Sequence, residues 1–489
     1  MEELSDTCDT MADKGETWAP KPADKVVRHP RMEQMAPVRI ELPERRSKSS
    51  ALNPPLILIY AFAILIGVGT LLLVLPVSHN GDGFAPLVDA LFTATSAATV
   101  TGLVTVETST FWSRPGQLVI MLLMFMGGIG VMTIATALLV LSGQRLSLSQ
   151  RLVVRETIGT AVFTNISSIT LRIMIWAVSL QAIGFIVLFV RFSFIYSAGD
   201  AAWHAVFQAV SGFNNAGFTS ILGSDNLSIF ATDRVVLGTI AALVLLGSVS
   251  YWIVADIATR RRFSRFGLNT KLVVVTTVAL LVSGSVVFYL FEAGNEGTLQ
   301  GATALDRAIT SVFQSVNRTS GFSTVDFGET SDNTNVFYSG LMFVGGTSAS
   351  VAGGIKVATL ALIVMAIVAL IRGRRDTTAF GRRIPLIQIK WAFALATLSL
   401  IGVVILAMAL AYTDPGYPFM DLLFESVSAF ATVGFSTGLT GDLSTPGQVL
   451  LVIGMFLGRV LPPMVIVVAL AGRGETGLFR YASEGVPVG

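Results

Sequence analysis

The chain has 489 residues, of which 53% are hydrophobic and only 13% charged. No soluble core of this length needs that ratio, so the composition excludes an ordinary soluble domain and points to an integral membrane protein. The net charge of +2 gives no argument for a nucleic-acid partner, because the charges sit in loops, and the single Cys8 excludes an intrachain disulfide framework.

Residues 1–50 contain no apolar segment and read as a polar, disordered cytoplasmic leader without a signal peptide, closing on Arg39, Arg45, Arg46 and Lys48. Eight later segments are long enough to cross a bilayer, which takes about 20 residues. They run over about 54–78, 115–142, 169–193, 233–259, 271–293, 335–371, 387–413 and 446–471. Long continuous apolar runs favour helices over the alternating strands of a barrel. Between the members of each successive pair lies a shorter segment: 85–100, 201–215, 303–318 and 418–432. Each is too short to span and ends at a glycine loop.

The loops read Thr99-Val100-Thr101-Gly102-Leu103, Asn215-Ala216-Gly217-Phe218, Thr319-Ser320-Gly321-Phe322 and Thr432-Val433-Gly434-Phe435. Their glycines are 115, 104 and 113 residues apart. The expected fold is an all-α membrane protein of four tandem span–pore-helix–span repeats. It has eight transmembrane helices and four re-entrant half-helices, with pseudo-fourfold symmetry around one central pore. The repeats occupy 51–144, 145–262, 263–384 and 385–472, followed by a cytoplasmic tail at 473–489.

Basic clusters follow the second, fourth and sixth spans: Arg145, Arg151 and Arg155; Arg260, Arg261, Arg262 and Arg265; Arg372, Arg374, Arg375, Arg382 and Arg383. Under the positive-inside rule these loops and both termini are cytoplasmic. All four glycine loops then enter from the other side. That side carries Asp82, Asp89, Glu107, Asp200, Asp225, Glu292, Asp306, Asp326, Asp421 and Glu425. These acids either concentrate cations at a mouth or are ordinary solvated loop residues.

Non-helical backbone at membrane depth is tolerated only where it is buried in protein or lines a wet cavity. Glycine lets successive carbonyls face one axis, and a ring of carbonyls can replace the water of a potassium ion. Each half-helix would aim the negative end of its dipole at the pore centre. Phe92, Phe207 and Phe424 precede their glycines by ten residues, whereas Phe313 precedes Gly321 by eight, so the third half-helix is expected to end differently. Arg318, three residues before Gly321, is expected behind the filter, paired with an acid or with carbonyls.

The sixth span is broken by Gly345-Gly346-Thr347-Ser348-Ala349-Ser350-Val351-Ala352-Gly353-Gly354-Ile355-Lys356. That composition cannot hold a helix middle, and the segment reads as helix, flexible intramembrane loop, helix. The eighth span carries Arg459 at mid-depth. A charge there costs at least ~2.5 kcal/mol and marks a functional site or a packing residue neutralised by an acid or carbonyls.

These residues resemble the Trk/Ktr/HKT superfamily of potassium-translocating membrane subunits over roughly 54–485. The most specific pieces are Thr99 to Leu103, Gly345 to Lys356, and Phe456-Leu457-Gly458-Arg459. Eight spans look more like the Ktr-type subunit than the longer Trk type. The resemblance implies a potassium filter built from Thr99, Val100, Thr101, Gly102, Asn215, Ala216, Gly217, Thr319, Ser320, Gly321, Thr432, Val433 and Gly434. Some plant members have Ser in place of the first glycine and prefer sodium, so Gly102 implies potassium. It further implies a gate formed by Gly345, Gly346, Thr347, Ser348, Ser350, Gly353, Gly354 and Lys356, with Arg459 nearby. Family members are homodimers on a cytoplasmic ring of nucleotide-binding regulatory subunits, so ATP, ADP or NAD(H) is expected on the partner, with no cofactor in this chain. K+ is the transported ion, and sodium or proton coupling stays open.

The competing reading is a secondary transporter of a small solute with broken helices at a midplane site. Such proteins usually have two inverted repeats, whereas this chain has four parallel ones. A membrane-embedded enzyme has little support. None of His29, His79 and His204 lies mid-span beside a Cys or an acid cluster, and no phosphate-binding glycine fingerprint appears. The expected location is the plasma membrane.

Overall fold

A computed structural model describes residues 54–130, 166–222, 226–348 and 350–471. The expected leader 1–50, the basic loop with Arg145, Arg151 and Arg155, Asp225, Ala349 and the tail 473–489 lie outside the described residues. Contacts divide the chain into Met1–Ala51 and Leu52–Gly489, and all described residues belong to the second unit.

Four times the chain runs through an apolar helix, a short helix, a small-residue strand and further apolar helix. The first pass comprises α1 (Pro54–Val74), α2 (Leu87–Thr99) and α3 (Arg114–Ile129). The second comprises α4 (Ile166–Phe192), α5 (Ala198–Phe213), α6 (Arg234–Ser248) and α7 (Tyr251–Arg260). The third comprises α8 (Leu268–Glu292), α9 (Ala304–Asn317), α10 (Asp332–Phe343) and α11 (Val357–Ile371). The fourth comprises α12 (Leu386–Thr413), α13 (Phe419–Ala431) and α14 (Thr445–Ala471).

Among the described residues, α4, α8 and α12 are each long and apolar enough to cross a membrane, and the bent pair α6–α7 is so when its two helices are taken together. Shorter apolar helices occupy Ile59–Val74, Arg114–Ile129, Val357–Ile371 and Thr445–Leu461. Leu171 and Ile186 of α4, Val282 and Leu290 of α8, and Ile405 and Met408 of α12 are exposed. Apolar faces of that extent suit contact with lipid, where the hydrocarbon side chains meet no water and every backbone group is satisfied within the helix.

The short helices are the buried ones. Phe92, Phe207, Phe313 and Phe424 are all essentially inaccessible. Each short helix carries one acid in its first turn: Asp89, Asp200, Asp306 or Asp421. A carboxylate there complements the positive end of the helix dipole. Ser197 and Thr303 additionally cap α5 and α9 by accepting from the backbone N–H of Asp200 and Asp306. The first long helix after each glycine strand packs against the next pass's short helix: α3 on α5, α6 on α9, α10 on α13, and α14 back on α2. The order of contacts is therefore cyclic.

Two expectations are corrected. The segment 233–259 is not one straight span: α6 and α7 meet at 97° across Val249–Ser250. Gly and Ser residues there, Gly247-Ser248-Val249-Ser250, are typical of a kink, and the freed backbone groups find partners on another segment. The chain is also not purely α. Thr378–Ala379 and Arg382–Arg383 form a two-residue antiparallel hairpin, β1–β2. Its turn residues Phe380 and Gly381 both have positive φ, +50° and +75°, the conformation that a tight two-residue hairpin requires.

Candidate functional site: a closed ring of glycine strands

The four glycine loops come together. Gly102, Gly217, Gly321 and Gly434 all have positive φ, at +94°, +72°, +71° and +101°. Each also lies against the next strand. A Cβ on Gly102 would come within 3.0 Å of the Ala216 carbonyl oxygen, one on Gly217 within that distance of Ser320, one on Gly321 of Val433, and one on Gly434 of Thr101. The contacts run from the first strand through the second, third and fourth back to the first. Both the torsion and the close approach demand glycine at these positions.

Three strands leave their short helix alike. Val100, Asn215 and Thr432 sit in the left-handed region, with φ of +59°, +55° and +51°. Thr101, Ala216 and Val433 then donate their N–H groups back to the carbonyls of Ser96, Ser211 and Ser428 at 2.8–2.9 Å, a Schellman-type closure. For Val and Thr this conformation is strained, and such strain is commonly found where function over-determines the backbone. The third strand differs, as the Phe313 offset suggested. Arg318 is right-handed, and both Ser320 and Gly321 donate to the Asn317 carbonyl. Arg318 points away from the ring. Its guanidinium donates to the carbonyls of Leu341 and Val344 at the end of α10.

The second broken region lies against this ring. Between α10 and α11, residues 344–356 form a loop held by backbone bonds from Gly345 N to Ile355 O (2.8 Å), Ile355 N to Phe343 O (3.1 Å) and Val357 N to Gly346 O (3.0 Å). It docks on the α6–α7 kink. Thr347 N donates to Ser248 O at 2.9 Å, Val351 N to Gly247 O at 3.2 Å, and Ser250 N to Thr347 Oγ1 at 2.7 Å. Those bonds satisfy the groups that the kink frees. Gly353 abuts Ala431 and Thr432 at the start of the fourth ring strand. Ser348 is exposed, and Ser350 Oγ donates to Thr347 O. The charge on Arg459 is taken by carbonyls: Nη1 donates to Val351 O at 2.7 Å and Nη2 to Gly127 O at 3.3 Å. Lys356 Nζ donates to Ala352 O at 2.6 Å. Gly354, at φ +65°, completes the turn.

Several of the acids that the sequence assigns to the side of the glycine loops are tied into structure. Glu292 is fully buried and accepts from Ser331, Thr334, Asn295 and Thr298. Glu425 is fully buried behind the fourth strand and accepts from Ser436, Thr437 and Thr440. Asp89 accepts from Thr105, and Asp200 pairs with Arg114. The Ser197 hydroxyl, then Arg114, hold the Asp200 carboxyl below its ordinary range. Glu292, Glu425, Asp89 and Asp200 are thus not free acids.

Sequence reasoning missed a serine six residues before every ring glycine: Ser96, Ser211, Ser315 and Ser428. Ser96 and Ser428 accept from the N–H of Gly102 and Gly434, each at 3.0 Å. Ser211 donates to Phe218 O and Ser315 to Leu281 O, both at 2.8 Å. Aligning the four segments on their glycines would have exposed this column. Also missed were Gly127 and Gly247, which, like Gly458 of the quoted Phe456–Arg459 motif, press against the carbonyls of Ala98, Phe213 and Phe430, respectively, the residues four before the ring glycines.

Comparison with known proteins shows the family of the chain. Residues 41–471 match the family model TrkH, described as a cation transport protein. The chain belongs to that family. Among similar TrkH-family proteins, the Ktr system potassium uptake protein B of Bacillus subtilis is 36% identical, covering 88% of this chain and 95% of the relative. The protein of the same name from Vibrio alginolyticus is 33% identical, over 91% and 97%. The potassium/sodium uptake protein NtpJ of Enterococcus hirae is 34% identical, over 90% and 98%. The crystal structure of the potassium transporter TrkH from Vibrio parahaemolyticus superposes with a TM-score of 0.66, covering 88% of this chain and 87% of that one at 16% identity. At that identity the likeness shows the shared fold.

Proposed function

We propose that the chain takes up potassium through the ring of glycine strands, which acts as a carbonyl-lined selectivity filter on the axis of four pseudo-symmetric repeats. The observation that carries this reading is the closed cycle of contacts among Gly102, Gly217, Gly321 and Gly434. Small residues and positive φ let backbone oxygens stand in for an ion's hydration shell. The C-terminal ends of α2, α5, α9 and α13 adjoin the ring, and their dipoles favour a cation there. The names of the three relatives, potassium uptake in two and potassium/sodium uptake in the third, agree with this reading. The name of the third makes sodium the ion to compare with potassium.

In the same reading the loop 344–356 is the gate below the filter, and Arg459 holds it shut through the Val351 carbonyl. The protein sits in the plasma membrane with both termini cytoplasmic. It forms a homodimer, and a cytoplasmic nucleotide-binding subunit moves the gate. The test is uptake of potassium, rubidium and sodium into proteoliposomes, with and without that subunit. Potassium and rubidium should enter in strong preference to sodium. Equal entry of all three by folded protein would refute the filter.

A further inference from the structure

The third ring strand lacks the left-handed residue that shapes the other three, and it is held from outside instead. Three bonds from the second repeat reach it. Thr319 Oγ1 donates to Asn215 Oδ1 at 2.8 Å, Asn226 Nδ2 donates to the Gly321 carbonyl at 2.8 Å, and Leu227 N donates to the Ser323 carbonyl at 3.0 Å. Asn226 lies in the segment between α5 and α6 and itself has φ +62°, a conformation that Asn tolerates better than most residues. Among the described residues, the carbonyls of Gly102, Gly217 and Gly434 have no side-chain donor matching Asn226.

We propose that Asn226 is a specificity-determining positioning residue: its side-chain amide fixes the Gly321 carbonyl and so sets the geometry of the ion path at the third strand. The proposal rests on the ring being that path. An amide donor at 2.8 Å does two things. It orients the carbonyl, and it draws electron density away from a permeating cation, so the third strand offers the ion a weaker, fixed oxygen. A fixed oxygen cannot follow a smaller ion inward, which disfavours sodium relative to potassium. The Thr319–Asn215 bond pins the inner end of the same strand, so Asn226 and Thr319 together replace the missing backbone closure.

The experiment is potassium and sodium flux in proteoliposomes for the full chain and for Asn226→Leu, Asn226→Asp and Gly102→Ser, each normalised to folded protein. Asn226→Leu keeps the size but removes the donor. Asn226→Asp keeps the shape and places an acceptor against the carbonyl. The potassium-to-sodium flux ratio should fall about fivefold in Asn226→Leu, as expected for one hydrogen bond, and further in Asn226→Asp, with saturating potassium flux within about twofold of the parent. A structural role alone would lower total flux or yield and leave the ratio unchanged. If Asn226→Leu does not fold, Asn226→Asp carries the test. A parental ratio in the folded Asn226 variants, with a lowered ratio in Gly102→Ser, overturns the role of Asn226 and leaves the ring intact. A parental ratio in Gly102→Ser overturns the ring, and this proposal with it.

Discussion

The first and fourth ring strands are near copies of one another, and the third is not. In the first and fourth, a strained β-branched residue, Val100 or Thr432, turns the chain, and a serine hydroxyl from the short helix receives the glycine N–H. In the third, the turn residue is right-handed and is itself a buried arginine, Arg318, and the serine bonds to Leu281 on a different helix. The difference falls where the next helix, α10, ends in the 344–356 loop. In the first, second and fourth passes a glycine of the following helix seats the short helix's carbonyl, but in the third that helix stops at Phe343 and Arg318 takes the carbonyls it leaves exposed. The ring is thus built by two means. Three strands are shaped by their own backbone, and one is shaped by polar side chains from its neighbours.

The largest expected effect breaks the strands that resemble each other. Gly102→Ser puts a Cβ at φ +94° against the Ala216 carbonyl. The potassium-to-sodium flux ratio should fall by at least about tenfold, equivalent to ~1.4 kcal/mol. An unchanged ratio in well-expressed protein would mean that the cation does not pass this ring.

A smaller effect separates the ring from the loop beneath it. Arg459→Gln removes a charged donor from the Val351 carbonyl, an interaction of about 1.5–3 kcal/mol. Potassium flux per folded molecule should rise several-fold with the ion ratio unchanged. Thr347→Val, which deletes the acceptor for Ser250 N, should act in the same direction. Reduced melting temperature without any gain in flux would instead make the loop a packing element.

Smaller still is the effect of the serine column. Ser96→Ala and Ser428→Ala should each cost about 1 kcal/mol of stability and lower the ion ratio slightly and equally. Ser315→Ala should cost similar stability and leave the ratio alone, because its partner is Leu281 rather than the ring. Detergent melting curves alongside flux ratios test this. If all three variants change the ratio alike, the third strand is not built differently.

Much of this was legible in the sequence. The short helices α2, α5, α9 and α13 fall within two or three residues of the expected 85–100, 201–215, 303–318 and 418–432, because apolar runs, flanking Pro or capping Ser and Thr, and terminal glycine loops are local signals. The interruption at 344–356 was legible for the same reason, since four glycines and three hydroxyls cannot hold a helix. The α6–α7 kink was not read. Gly247-Ser248-Val249-Ser250 looks like ordinary small-residue packing until Thr347 is brought to it from a distant segment. Glu292 and Glu425 were read as outer loop charges, but burial depends on which hydroxyls the fold gathers around a carboxylate. Asn226 carried no signal, because its partner, Gly321, lies 95 residues away.

The mildest prediction concerns an acid at the end of a long helix, away from the ring. Asp414 follows α12, and burial alone would push its carboxyl up. The backbone N–H of Ser444 at 2.7 Å, with the hydroxyls of Thr413 and Ser444, outweighs that and holds it below the ordinary carboxylate range. A carboxyl with a lowered folded-state value adds stability that is complete above its unfolded value, near 4, and is lost as pH falls through the folded one. Asp414→Asn should therefore lower the melting temperature at pH 7 by an amount corresponding to about 1 kcal/mol. The gap to the parent should close as pH drops below about 4. A gap constant from neutral pH to that range would show that the ionised carboxylate is not what joins the end of α12 to the start of α14. Because Asp414 touches no ring strand, the ion ratio should match the parent throughout, which makes this variant the reference for effects on folding alone.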